Sequence, residues 1–230
     1  MLPTLHPRVK ICCIASINEA KTAIAYGASA LGLVSAMPSG PGVISEKKIA
    51  EIAALIPPPV ATFLLTSRQD APSIIAQQKR CRTNTLQLCD RIETGVYQQL
   101  RDALPGIALV QVIHVNDRGS IEEAAVVAPF VDALLLDSGN KKSSVKELGG
   151  TGRVHDWSIS KAIRESVDKP IFLAGGLNGE NVARAIFEVA PFGLDLCSGV
   201  RTNGVLDEKK LARFFGGIGS SPHPLGENRS

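Results

Sequence analysis

The sequence predicts an α/β fold, a single-domain (β/α)8 TIM barrel, and three observations carry that prediction. Short apolar β runs alternate with helical runs eight times along the chain. The spacing of these pairs within 230 residues matches what a barrel of about 250 residues or slightly fewer requires. A doubly wound open sheet would need an early glycine-rich turn between its first strand and helix, and the sequence has none there. Residues 9–215 form the expected barrel, 1–8 an N-terminal extension and 216–230 a flexible tail without apolar periodicity.

The elements follow in order. Residues 9–14 (VKICCI) read as a strand, then 17–26 as a helix that Ser16 or Asn18 can cap and Gly27 can close. After the strand at 30–34 comes a Gly/Pro-rich loop, Pro38-Ser39-Gly40-Pro41-Gly42, which can be neither helix nor central strand. Helix 45–55 stops at Pro57-Pro58-Pro59 before the strand at 60–65. Strands at 85–89, 108–115, 133–137, 170–174 and 193–197 then alternate with helices at 71–82, 95–103, 120–128, 158–167 and 181–189. A last helix at 207–215 completes the eighth pair.

Composition narrows the function classes. Hydrophobic residues make up 44% and mean hydropathy is +0.12, as in a globular chain able to bury a large core. The formal charge of +3 is scattered, with no basic stripe interleaved with aromatics, so nucleic acid is not an expected partner. No apolar run approaches the ~18 residues of a membrane span, and the N-terminus lacks a secretory core. The five cysteines are odd in number and lack metal-ligand spacing, so we expect a reduced, cytoplasmic protein with no metal. Its oligomeric state, monomer or homodimer, is not readable.

In a parallel barrel the chemistry sits at the C-terminal strand ends. The sequence 133–137 delivers Asp137 there. A polar loop follows with Lys141, Lys142 and Lys146, reaching Gly149-Gly150-Thr151-Gly152. Other polar strand ends are Cys12, Arg68 after strand three, Gln87 and Asp90, and His114. Strand alternation puts Lys10 and Cys12 inside the barrel and Val9, Ile11 and Cys13 outside. A buried lysine needs an anion, and Asp195 on the closing eighth strand is the expected one. Cys12 reads either as a small buried hydrophobe or as a thiol that nearby positive charge favours as thiolate. Cys81 and Cys197 read as packing residues. Gly175-Gly176 and Ser198-Gly199 end consecutive strands, in the two loops where barrels commonly hold a phosphate on backbone N–H groups. The Asn178–Asn181 stretch also reads as a helix cap.

These pieces, namely Val9-Lys10-Ile11-Cys12, Leu135-Leu136-Asp137-Ser138, Gly149-Gly150-Thr151-Gly152 with Asp156-Trp157, Gly175-Gly176-Leu177 and Ser198-Gly199-Val200, occur in a specific order. In them the chain resembles the phosphoribosylanthranilate isomerase family of tryptophan biosynthesis, over residues 9–215. The resemblance implies a cofactor-free barrel that performs an Amadori rearrangement on a small phosphosugar. It implies Asp137 as general acid, Cys12 as general base, and phosphate on Gly175, Gly176, Ser198 and Gly199. Gln87 and Gly150 join the implied substrate-facing set.

The sequence departs from the family pattern in three places. Cys13 and Ala15 stand where glycine and threonine are usual. Ser39-Gly40-Pro41-Gly42-Val43 replaces a basic stretch, with Gly42 at the position of an arginine that holds the anthranilate carboxylate. Cys89-Asp90 replaces His-Gly. Arg68, Arg153 and Arg201 are the arginines expected to substitute. The alternatives are a related isomerase acting on a different N-substituted phosphosugar, or a barrel that binds phosphosugars without turnover. The 39–43 and 138–149 loops are the expected lids.

Overall fold

The computed structural model describes residues 6–138 and 155–219. Eight parallel strands close into a barrel: β1 (Arg8–Ile11), β2 (Ala30–Val34), β3 (Ala61–Thr66), β4 (Thr85–Leu88), β5 (Ala108–His114), β6 (Ala133–Asp137), β7 (Ile171–Leu173) and β8 (Gly193–Leu196), in that order around the ring. The intervening helices are α1 (Ile17–Ala25), α2 (Glu46–Ala53), α3 (Ala71–Cys81), α4 (Thr94–Ala103), α5 (Gly119–Val127), α6 (Trp157–Ser166) and α7 (Val182–Val189), and α8 (Glu208–Gly219) follows β8. The expected fold class and all eight strand–helix pairs are present.

Helix starts follow short polar side chains. Ser16 and not Asn18 caps α1, its hydroxyl accepting from the Glu19 N–H, while the Glu19 carboxylate reaches back to the Ala15 N–H at 2.9 Å. Ser45, Asp70 and Asp156 cap α2, α3 and α6 in the same way. Gly27 closes α1 at a φ of +110°, the left-handed backbone that glycine accepts without a Cβ penalty.

Alternation along the strands sorts the core into two layers. Val9, Ile11, Leu31, Leu33, Leu64 and Leu86 pack outward against the helices. Ala30, Val34, Phe63, Leu65, Val110, Leu135 and Phe172 fill the barrel interior. Lys10 also points inward and is fully buried; it pairs in register with Asp195, and its Nζ lies 2.8 Å from the Asp195 Oδ1. The expected pairing across the closing β1–β8 seam is present.

Three boundaries differ from expectation. β1 ends at Ile11, because the chain leaves the ladder at Cys12 and turns left-handed at Cys13, φ +62°. The flip moves Cys13 from the outer face that simple alternation assigns it into the interior cluster. α8 runs on to Gly219, past the expected end at 215. The apolar stripe Leu211, Phe214, Phe215 and Ile218 continues through the glycine pair and packs on the core. A small hairpin, β9 (Arg201–Thr202) with β10 (Val205–Leu206), follows the 3-10 turn Ser198–Val200; Asn203 and Gly204, both at positive φ (+51° and +79°), form its two-residue turn, an Asn-Gly signal present in the sequence but not among the expected elements. Residues 1–5 of the expected N-terminal extension and 220–230 of the expected tail lie outside the described residues.

Candidate active site

A cavity opens at the C-terminal ends of the strands. Cys12, Gln87, Asp137 and Asp195 line its floor and walls together with Val34, Leu65, Ala174 and Leu177. Met37, Ser39, Gly40 and Pro41, from the loop after β2, line it too, as do Gly175, Gly176 and Ser198.

Asp137 is the last residue of β6, beside His114 in the β5 register. Only 8% of its surface is exposed, and its Oδ1 accepts the Ser138 N–H at 2.7 Å. Burial pushes its carboxyl above the ordinary range, and the neighbouring Asp195 adds to this. The Ser138 N–H, His114 and Lys10 pull the other way without reversing it. A carboxyl raised in this way can keep a proton to donate.

Cys12 sits just past β1, its N–H donating to the Leu196 carbonyl at 2.7 Å. A Cβ built on Gly32 would lie 2.8 Å from the Cys12 Sγ and 3.2 Å from the Lys10 Cε, so the thiol and the stem of Lys10 share one patch of the β2 backbone. Burial alone would push Lys10 down, but the Asp195 carboxylate outweighs it and holds the ammonium charged. The Nζ also stands 5.2 Å from the centroid of the Phe63 ring. A fixed positive charge therefore lies beside the thiol.

Gly175 and Gly176 are consecutive left-handed residues, φ +84° and +64°, a backbone that glycine adopts without a Cβ penalty. The Asn181 amide holds the Gly176 carbonyl from behind at 2.9 Å. The cap reading of this stretch also stands, since the Asn178 Oδ1 accepts from the Glu180 N–H at 2.8 Å. Gly199 stands behind the cavity wall: a Cβ there would lie only 1.9 Å from the Leu177 carbonyl oxygen, so only glycine lets the two loops approach.

The structure sorts the remaining expected residues. Gln87 lines the cavity and is buried, its Nε2 lying 3.7 Å from the Cys89 Sγ. Arg68 is exposed, 3.8 Å from Glu46, and away from the cavity. Arg201 is buried but turned to other work. Its guanidinium pairs with Glu19 at 2.9 Å and donates to the carbonyls of Cys12 at 3.1 Å and Cys13 at 2.6 Å. Neither arginine is placed to grip a substrate, and among the described residues lining the cavity there is no arginine or lysine. Gly150, Arg153 and all of the expected 138–149 lid except Ser138 lie outside the described residues. Cys81 is a packing residue, its thiol pushed up to about 12 by burial. Cys197 packs against the interior cluster and also lines the cavity, and the neighbouring Cys13 thiol holds its own thiol below the ordinary cysteine range. Asp195 is a cavity residue that sequence reasoning missed in that role; its inward place on β8, two residues before Cys197, is the signal that could have found it.

The family model described as PRAI, N-(5'phosphoribosyl)anthranilate (PRA) isomerase, matches residues 9–216. The chain belongs to the phosphoribosylanthranilate isomerase family. A relative from Methanosarcina mazei, N-(5'-phosphoribosyl)anthranilate isomerase 2, is 34% identical over 90% of this chain and 92% of its own. One from Methanocella arvoryzae is 31% identical over 90% and 95%. Among solved structures, the phosphoribosylanthranilate isomerase of Thermotoga maritima superposes with a TM-score of 0.77 at 28% identity, covering 93% of this chain and 98% of that one. A second, solved in complex with reduced 1-(o-carboxyphenylamino)-1-deoxyribulose 5-phosphate, superposes at 0.74 with 27% identity and the same coverage. Among the described residues no cluster of His, Cys, Asp or Glu could hold a metal ion, and no helix is long and apolar enough to cross a membrane.

Proposed function

We propose that this chain is an N-(5'-phosphoribosyl)anthranilate isomerase, converting its substrate to the 1-deoxyribulose phosphate product by general acid–base catalysis. Family membership supports the reaction. The observation that carries the assignment of roles is that Cys12 and Asp137, delivered by β1 and β6, line one cavity together with the Gly175–Gly176 turn and Ser198.

In this reading the phosphate sits on the backbone N–H groups of Gly175, Gly176 and the Ser198–Gly199 turn, which fixes the ribose between the acid and the base. Asp137 donates its proton to the furanose ring oxygen; the C1′–O bond breaks and the nitrogen lone pair forms the C1′=N bond of a protonated Schiff base. Cys12 acts as the base and removes the C2′ proton, and the C–H electron pair neutralises the iminium to give an enolamine. Tautomerisation to the ketone completes the aldose-to-ketose change. The Asp137 carboxylate left by the first step recovers its proton from solvent or from the thiol. The apolar wall of Val34, Leu65 and Met37 suits a flat ring on the nitrogen.

The test is loss of anthranilate fluorescence when the protein meets freshly made phosphoribosylanthranilate. We expect turnover by the wild type and a loss of about 10²–10⁴-fold in kcat for Cys12→Ser and for Asp137→Asn. Absence of turnover in the wild type, with a phosphosugar still raising its Tm, would favour a different N-substituted substrate. Full activity in either variant would remove that residue from its role.

A further inference from the structure

We infer that Cys13 is a positioning residue that sets the cavity wall formed by residues 37–41, and that it does so as a coupled pair with Gly42. Cys13 holds φ +62°, a conformation costly for a residue with a Cβ and one that persists only where the surroundings impose it. They do so here from behind: the buried Arg201, locked by Glu19, donates to the carbonyls of Cys12 and Cys13, one on each side of Cys13. The turn aims the Cys13 side chain at the loop after β2. Gly42, itself at φ +79°, lies so close that an added Cβ would stand 2.5 Å from the Cys13 Cβ, 2.9 Å from its Cα and 3.1 Å from its Sγ. The Cys13 thiol faces the Pro41 carbonyl at 3.6 Å.

The loop's far end is tied back to the end of β2 where it began: Val43 bridges to Val34 and the Ile44 N–H donates to the Val34 carbonyl at 2.9 Å. Between them the loop carries Met37, Ser39, Gly40 and Pro41 to the cavity. The Cys13 side chain resting on Gly42 sets how close that segment approaches, and so how much room the nitrogen substituent of the substrate finds. A side chain at 13 and none at 42 are one arrangement, not two independent choices.

The test is a double-mutant cycle with Cys13→Gly and Gly42→Ala, and Cys13→Ala as the conservative variant. Glycine adopts φ +62° freely, so Cys13→Gly keeps the fold. Resting on the proposed reaction, we expect Cys13→Gly to raise KM for phosphoribosylanthranilate about fivefold or more with a smaller fall in kcat. Cys13→Ala, which keeps the Cβ, should stay within about twofold of the wild-type KM. Independently of the reaction, Gly42→Ala should lower Tm by about 5 °C or more in the wild type. In the Cys13→Gly background the same change should cost clearly less, because the clashes at 2.5 Å and 3.1 Å vanish with the side chain, leaving the backbone approach at 2.9 Å and the strain of alanine at φ +79°. Equal KM for the Cys13→Gly and Cys13→Ala enzymes, or equal Tm losses in the two backgrounds, would overturn the inference. If the wild type does not turn over this substrate, the proposed reaction fails and the Tm cycle alone decides the coupling.

Discussion

Replacing Lys10 with methionine tests the barrel's internal electrostatics. The side chain is fully buried, its Nζ lies 2.8 Å from the Asp195 Oδ1, and a methionine would fill most of the same volume. The substitution therefore removes charge more than packing and leaves Asp195, 8% exposed, without its cation. Breaking one side of a buried pair costs roughly 3–5 kcal/mol. Asp195 lines the cavity and can meet water there, so the low end, about 3 kcal/mol, is expected. At roughly 2–4 °C per kcal/mol for a chain of this size, Tm should fall by about 6–12 °C. Lys10→Met with Asp195→Asn should recover at least half of that loss, since the uncompensated charge is gone. Urea unfolding followed by circular dichroism measures both variants. Alkaline stability supplies the sign. A lysine whose pKa is raised in the folded state contributes stability that is present below its unfolded value of 10.5 and lost as pH climbs through the folded one. That alkaline loss should be absent from Lys10→Met. A single-variant cost below about 1 kcal/mol, or strictly additive losses in the double variant, would refute the view that these charges are mutually dependent.

Two further predictions concern the phosphate loops and the acid limb of stability. Gly199→Ala would drive a Cβ to within 1.9 Å of the Leu177 carbonyl oxygen, so the loops after β7 and β8 must separate. KM for the phosphosugar should rise about tenfold or more in steady-state assays, and an unchanged KM would take the phosphate off these loops. His155 is half-buried, 2.6 Å from the Ser160 hydroxyl, and burial lowers its pKa to about 4. A histidine depressed on folding gives stability that is present above its unfolded value of 6.5 and lost as pH falls toward 4. That amounts to about 3 kcal/mol at most. The urea midpoint should drop between pH 6.5 and 4 in the wild type and less in His155→Gln; parallel drops would assign the acid limb elsewhere.

What can be read from the sequence is what strand geometry dictates. Period-2 alternation in Val9-Lys10-Ile11 places a lysine inside the barrel, and closure of a parallel ring sets Asp195 beside it; no side chain outside those strands has a say. Asp137 follows from the same rule, as the last residue of a buried apolar run. The failures begin one residue past the ladder. Cys13 leaves alternation because a left-handed turn, fixed by Arg201 from 188 residues away, reverses its direction, and nothing local encodes that. The glycine pair in α8 resembles a helix stop on propensity alone, yet the apolar stripe carries the helix through to Ile218.

Arg201 shows why substrate grip is harder to read than acid and base. A guanidinium can donate to a carboxylate or to backbone carbonyls, more strongly to the former, so an arginine just after the last barrel strand suits a substrate or a backbone turn. What settles its partner is Glu19, which closes the start of α1 through the Ala15 N–H and also takes the Arg201 fork. Together the cap and the arginine clamp the link between β1 and α1, so Cys12, the proposed base, is held by its own carbonyl. Cys12 and Asp137 stand at the ends of hydrogen-bonded strands and move only if the barrel moves. The wall at residues 37–41 hangs on a loop, and its place depends on what residues 13 and 42 leave between them. Exchanging the groups at those two positions can therefore reshape the end of the cavity that the proposed reaction gives to the nitrogen substituent, while Cys12 and Asp137 keep their places.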